Sequence, residues 1–304
     1  MEKLQEVYKA VSTTLQINDI YLVGGCVRDA VMGNDPDDFD FASPHSADEI
    51  EQLVRNAGRR PYLSGKKFGT IGFKCLVGDV WQKIEITQFR IEVYDGKSRK
   101  PTVTPTDSLK ADLQRRDFRL NAMAYDGEKI FDPFGGKLDI YKKQLVSVGP
   151  AKECITDDAL RIFRAARFAA RYGFTIDPNF IGKARQLADR IFDVSVERWT
   201  GEMDKLLTSD HVDAGIYALK KMGILMRILP ELYNDNDEIY VGEDSITSKN
   251  VDEAWKQLFE CIQVPGNINE PTRTKRFVMA GLCSRFKFSN QRCDIILDKQ
   301  KNKE

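Results

Sequence analysis

The stretch LVGGCVRDAVMGNDPDDFDFA, residues 22–42, decides how the rest of the chain is read. A short apolar run ends in Gly24-Gly25, a segment carrying Arg28 and Asp29 follows, and Asp38 and Asp40 then sit one residue apart among apolar neighbours. The β-type run at 20–23 and the helical pattern at 26–32, stopped by Gly33, predict a strand–turn–helix unit. Glycines at such a turn let backbone N–H groups come close to a ligand. The helix N-terminus adds partial positive charge, so phosphate is the natural guest. Arg28, one turn in, can add charge-assisted bonds to phosphate oxygens. Taken alone, the glycine pair fits a tight structural turn equally well.

Residues 39–42 predict a strand. Alternation then sends Phe39 and Phe41 into the core and Asp38 and Asp40 together to the other face. Two carboxylates so placed repel unless a cation lies between them, and hard oxygen ligands favour Mg²⁺ shared with substrate phosphates. A polar strand end with solvated acids is the plainer alternative. Two more β-rich runs, 69–77 and 80–89, meet at the hairpin signal Gly78-Asp79. In the second, Ile84 and Ile86 alternate with Glu85 and Thr87, which makes Glu85 a candidate third carboxylate or an ordinary exposed strand residue.

Outward from these strands, residues 3–16 and 48–56 read as helices, and 94–106 as a mobile basic loop. Residues 112–124, DLQRRDFRLNAMA, place Arg115, Arg116 and Arg119 around Asp117, a dense cationic point beside an apolar helix face. The segment 130–136 is turn-like and closes a first unit. Beyond about residue 150 strand signals fade. Residues 157–172 form the strongest helical pattern, with Asp157 as its cap, Asp158 at its positive end, and Arg161, Arg164, Arg167 and Arg171 as one stripe without matched acids. Such a stripe suits phosphates and bases, against the alternative of a solvated face. Helices are expected at 194–207 and 211–229, an acidic loop at 231–253, and a basic stretch from 271 that includes Arg273, Arg276, Arg285 and Lys287.

The bulk composition narrows the class. The chain has 304 residues, 42% hydrophobic and 30% charged, with formal net charge zero, so nucleic-acid binding must come from local patches. No run approaches the roughly 18 apolar residues of a membrane span. The N-terminal residues lack the pattern of a signal or transit peptide. Six cysteines without a C-x-x-C pair, and two histidines, His45 and His211, point to reduced thiols in the cytoplasm rather than to zinc.

Together these motifs resemble the class II tRNA nucleotidyltransferases, the CCA-adding enzyme and poly(A) polymerase group of the polymerase-β-like superfamily. The matching stretches are GGCVRD (24–29), DFD (38–40), IEITQFR (84–90), RRDFRLNAMAYD (115–126), FDPFGG (131–136) and DDALRIFRAARFAARYGF (157–174), in the family's order. The resemblance implies an α+β fold: a nucleotidyltransferase head with a mixed sheet (1–148), an all-helical neck that recognises the base (149–208), and a short helical body with possible RNA contact (209–304). It implies that Asp38 and Asp40 hold two Mg²⁺ ions, with Glu85 as a third catalytic carboxylate. Gly24, Gly25 and Arg28 would bind the triphosphate, and Arg115, Arg116 and Asn121 would lie by the nucleotide. Asp158 and Arg161 would read the Watson–Crick edge, supported by Arg164 and Arg167. Asp157 stands where the family usually has Glu, and the region after the neck is shorter than the family's body and tail domains, so a reduced or rebuilt hold on the tRNA elbow is expected.

The implied activity is template-independent addition or repair of the 3′-terminal CCA of tRNA from CTP and ATP. A poly(A) polymerase or a partial CC- or A-adding enzyme is the alternative within the class, and a catalytically silent RNA-binding protein the alternative outside it. Retention of the 94–106 segment favours complete CCA or terminal A addition. A Rossmann dinucleotide binder fits poorly, because GGCVRD lacks the spaced third glycine.

Overall fold

The computed structural model describes residues 1–94, 101–230, 246, 249–260, 286–289 and 293. It divides into two compact units, 1–150 and 151–304.

The first unit is built on a six-stranded mixed sheet of order β3-β4-β2-β1-β7-β8. Its strands are β1 (Tyr21–Val23), β2 (Phe39–Ser43), β3 (Thr70–Val77), β4 (Val80–Gln88), β7 (Ala124–Tyr125) and β8 (Ile130–Phe131). β2 and β4 run parallel, and the other pairs are antiparallel. Alternation sets the two faces. Leu22, Phe39, Phe41, Ile71, Phe73, Ile84 and Ile86 point into the main core. They pack against α1 (Glu2–Leu15), through Leu4, Val7 and Val11, and α3 (Ala47–Asn56), through Ile50 and Val54. A capping box between Ser46 and Glu49 starts α3.

The opposite face carries a smaller cluster of Val23, Ala42, Phe89, Leu113, Ala122 and Ala124. Leu113 belongs to α4 (Leu109–Gln114), capped by Ser108, so this short helix covers one end of the face and delivers Arg115 and Arg116 to it. The helical pattern at 112–124 thus stops at Gln114: Asp117 turns back to accept from the Phe118 N–H and from the Asn121 side chain, which competes with a continuing helix. The segment expected as a loop at 94–106 is in part a strand. The β-branched run in β6 (Thr102–Pro105) pairs antiparallel with β5 (Arg90–Val93). Residues 95–100 lie outside the described residues. The turn expected at 130–136 contains β8 and then Asp132, whose carboxylate accepts from the N–H groups of Gly135, Gly136 and Lys137 to start α5 (Gly136–Tyr141).

Among its described residues the second unit is helical apart from the two-residue strand Thr175–Ile176. The pattern read as one helix over 157–172 is two: α6 (Ala151–Asp157) and α7 (Leu160–Tyr172). Asp157 ends the first rather than capping the second. Asp158 sits in the break and accepts from the Leu160 N–H at 3.0 Å. Gly173, at φ +65°, terminates α7. Next come α8 (Pro178–Gln186), α9 (Val196–Leu207), α10 (Val212–Lys221) and α11 (Leu225–Ile228). Gly223, at φ +71°, splits the helix expected over 211–229. Of the acidic stretch, 231–245 lies outside the described residues. Its end enters α12 (Val251–Glu260), whose first N–H groups are taken by Asn250. Of the basic residues expected after 271, Lys287 alone is described, and its ammonium is 2.8 Å from Glu197.

Candidate active site

The carboxylates sit on the sheet face opposite the main core. Asp40 on β2 and Glu85 on β4 are register partners in the parallel pair, so their side chains share that face. Asp38 immediately precedes β2 and is exposed. Burial pushes the Asp40 carboxyl above the usual aspartate range, and the charges of Glu85 and Asp38 push it further, against the pull of Arg116 and Lys83. Glu85 is engaged by Lys83 at 2.5 Å. Among the described residues no three metal-ligating side chains are gathered into a preformed cation site. The donor chemistry nevertheless suits a hard divalent cation: carboxylates on adjacent rigid positions whose repulsion a cation would relieve.

The glycine turn lies beside them. Gly24 has φ +73° and ψ −126°, a backbone region that side chains other than glycine rarely adopt, and it precedes α2 (Gly25–Val31). A Cβ at Gly24 would stand 2.9 Å from a guanidinium nitrogen of Arg116, and one at Gly25 would stand 3.4 Å from Arg28. Two arginines therefore flank the turn. Arg116 donates to Asp112 at 3.3 Å, and its Nε is buried with no partner among the described residues. Cys26, just inside α2, donates to the Val23 carbonyl. Burial, then the Asp40 charge, pushes its thiol up to about 12, so it stays neutral.

Arg28 lies within α2, as expected, and is held by partners that the sequence reading did not name. It is buried, donates to both carboxylate oxygens of Asp29 at 2.8 and 2.9 Å, and reaches Asn121 Oδ1 at 2.6 Å. Asn121 in turn donates to Asp117 at 3.0 Å. A continuous network, Asp29–Arg28–Asn121–Asp117, thus fixes the wall of the turn. Asp112 is the acid that sequence reasoning overlooked. Buried on α4, it receives Arg115 at 2.9 Å, Arg116, and the Arg90 N–H. Its three- and four-residue spacing to the two arginines was the available signal. Glu92, the second partner of Arg115 at 2.9 Å, comes from β5 and left no such signal.

In the second unit the arginine stripe does have matched acids, contrary to expectation. Arg167 is buried and paired with Glu202 of α9 at 2.5 Å, and Arg164 is 4.0 Å from the same carboxylate. Both lie over the Phe168 ring, at 4.2 and 5.5 Å from its centroid. Arg161 donates to the Cys154 carbonyl at 3.2 Å and lies 3.8 Å from Asp157. The second carboxylate oxygen of Asp158 accepts from Arg198 at 3.0 Å. Glu202 and Arg198 were invisible as partners because they arrive from a helix more than thirty residues on.

Residues 20–146 match the "Poly A polymerase head domain", and residues 173–235 match the segment described as "Probable RNA and SrmB- binding site of polymerase A". Over these two segments the chain is similar to the head and RNA-binding parts of poly(A) polymerases. It is 34% identical over 257 residues to the CCA-adding enzyme of Limosilactobacillus fermentum, covering 83% of this chain and 62% of that one. It is 36% identical over 252 residues to the CCA-adding enzyme of Streptococcus suis, covering 81% and 60%. The fold is similar to the crystal structure of Bacillus stearothermophilus CCA-adding enzyme in complex with CTP, with a TM-score of 0.75, 27% identity, and coverage of 96% of this chain and 67% of that one. The chain spans about three fifths of the length of the curated relatives it matches. Among the described residues, no helix is long and apolar enough to cross a membrane.

Proposed function

We propose that this chain is a template-independent RNA nucleotidyltransferase that builds or repairs the 3′-terminal CCA of tRNA, using CTP and ATP. The observation that carries the reading is that Asp40 and Glu85 share one sheet face, with Arg116 near enough to act on the Asp40 charge and set against the Gly24 turn. The name shared by the relatives, CCA-adding enzyme, supports CCA as the sequence added, and the CTP in the similar crystal structure supports the donor.

In this reading Asp38 and Asp40 hold Mg²⁺, with Glu85 as the third carboxylate. A cation held by these carboxylates would supply Lewis-acid activation of the attacking RNA 3′-hydroxyl and charge neutralisation for the departing pyrophosphate. The turn at Gly24-Gly25 presents backbone N–H groups to the triphosphate, and Arg28, Arg115 and Arg116 supply fixed positive charge along it. Those side chains are already held by Asp29, Asn121 and Asp112, so little reorganisation is needed when the nucleotide arrives. Base choice is assigned to Asp158 and Arg161. An Asp acceptor and an Arg donor can satisfy the Watson–Crick edge of either C or A without a template. Arg164 and Arg167, anchored on Glu202 and Phe168, support that pair. Residues 1–148 would act as the catalytic head, 149–208 as the neck and 209–304 as a body in contact with RNA. The free, buried thiols of Cys26 and Cys75 suit the reducing cytoplasm.

The test offers purified protein, Mg²⁺ and one labelled nucleotide at a time to tRNA transcripts ending in the discriminator base, in CC or in CCA, beside an unstructured RNA. Growth that stops at CCA supports the proposal. Long A tails on every RNA would make the protein a poly(A) polymerase, growth by CC or A alone a partial adder, and no incorporation a binding protein.

A further inference from the structure

The sheet face that carries Asp40 continues past Glu85 to the open edge of the sheet, and nothing in the mechanism above uses it. Register partners along β3 and β4 on this face are Gly72 with Glu85, Lys74 with Lys83, and Leu76 with Trp81. Their neighbours Ile71, Phe73, Ile84 and Ile86 point the other way, into the core. Walking along β4 from Glu85, the face therefore presents a carboxylate, then a lysine pair, then an indole. Each two-residue step advances about 7 Å, the scale of one extended nucleotide.

Three features of this row are poorly explained by stability. Lys74 and Lys83 are directly opposed on paired strands, where like charges destabilise. Lys83 is tied to Glu85, whereas among the described residues Lys74 makes no ion pair. Trp81 is 51% exposed and faces the similarly exposed Leu76, an apolar end to an otherwise polar face. Arg59 lies over the Trp81 ring at 5.0 Å from its centroid, with a buried Nε that has no hydrogen-bond partner among the described residues. A cleft of about 560 Å³ opens on this face, with Tyr62, Thr70, Gly72, Lys74, Lys83 and Glu85 among its lining residues. Gly72 leaves room for Tyr62, whose ring would be 3.4 Å from a Cβ at that position.

We propose that this open face is a track for a single RNA strand: Lys74 and Lys83 hold a backbone phosphate, and Tyr62 and Trp81 offer stacking surfaces for bases upstream of the reacting 3′ nucleotide. The proposal rests on the reading that nucleotide addition occurs at Asp40 and Glu85. Alternating cations and aromatic faces are the chemistry of single-strand binding, in which phosphates give affinity and every base offers a π-face. A duplex, with its bases already stacked, gains only the charge.

The experiment measures the affinity of the full chain for a fluorescent single-stranded 12-nucleotide RNA ending in CC, for a blunt RNA duplex, and for CTP. Trp81→Ala is expected to weaken single-strand binding roughly tenfold, with duplex and CTP affinity within about twofold. Trp81→Phe, which keeps an aromatic face, should restore most of the loss. Lys74→Gln should lower the salt dependence of single-strand binding by about 0.7 in log–log slope. Unchanged single-strand affinity and slope in these variants would overturn the track, as would equal losses for duplex or CTP. Binding is read without turnover. If the wild-type chain binds RNA but transfers no nucleotide, the functional reading fails and the track is still judged by its variants. If transfer is normal and the variants bind like wild type, the track alone fails.

Discussion

Asp40 on β2 and Glu85 on β4 are direct partners in a parallel register, which places two carboxylates on one sheet face. Burial, and then the charge of Glu85, hold the Asp40 carboxyl above its ordinary value of 3.8. The folded chain then binds this proton more tightly than the unfolded chain. Ionised Asp40 therefore costs stability at neutral pH, and the cost disappears as pH falls below 3.8. Asp40→Asn should raise the thermal midpoint at pH 7 in the presence of a chelator, and the gain should shrink to nothing near pH 3.8. A midpoint unchanged at pH 7 would contradict the repulsion.

The two glycines of the turn should differ. At Gly24 a side chain meets both an unfavourable backbone, φ +73°, and Arg116 at 2.9 Å. At Gly25 the contact is 3.4 Å with the movable end of Arg28. Gly24→Ala is expected to cost about 1–3 kcal/mol in denaturant unfolding and to weaken CTP binding through Arg116. Gly25→Ala should cost clearly less in stability.

Asn121 matters through Arg28. Its Oδ1 accepts from the buried guanidinium at 2.6 Å, and Asn121→Ala leaves that donor without its partner while Asp29 keeps the charge balanced. A loss of about 1.5–3 kcal/mol is expected, the range for a hydrogen bond to a charged group. Chemical denaturation would measure it.

Arg167 and Glu202 form a buried pair, so neutralising Glu202 removes a buried counter-charge from Arg167. Glu202→Gln should destabilise by about 3–5 kcal/mol. The double variant Arg167→Met with Glu202→Leu should recover most of that. If it also keeps the preference for C and A, Arg167 serves the second unit's packing rather than the base.

The sheet and its carboxylate-bearing face were legible because period-two alternation reports both burial and facing. Phe39 and Phe41 against Asp40, and Ile84 and Ile86 against Glu85, need no tertiary information. What was not legible came from distant partners or from side chains that compete with the backbone. The break before α7 depends on Asp158 capturing the Leu160 N–H, and the pairing of the arginine stripe on Glu202 from another helix. The strand at Thr102–Pro105 was hidden by the lysines, glycine and proline around its β-branched core. The partners that hold Arg28, which are Asp29, Asn121 and Asp117, lie on two separate segments, so the network around it could not be read from the local sequence.

The most direct measurement is single-turnover incorporation of α-labelled CTP into a tRNA transcript ending in the discriminator base, at saturating Mg²⁺, for the wild-type chain and for Asp40→Asn. Incorporation by wild type and a loss of at least about 100-fold in the variant, with a folded protein and CTP binding retained, is the predicted result. Incorporation by Asp40→Asn at the wild-type rate would contradict the assignment of nucleotidyl transfer to this carboxylate face.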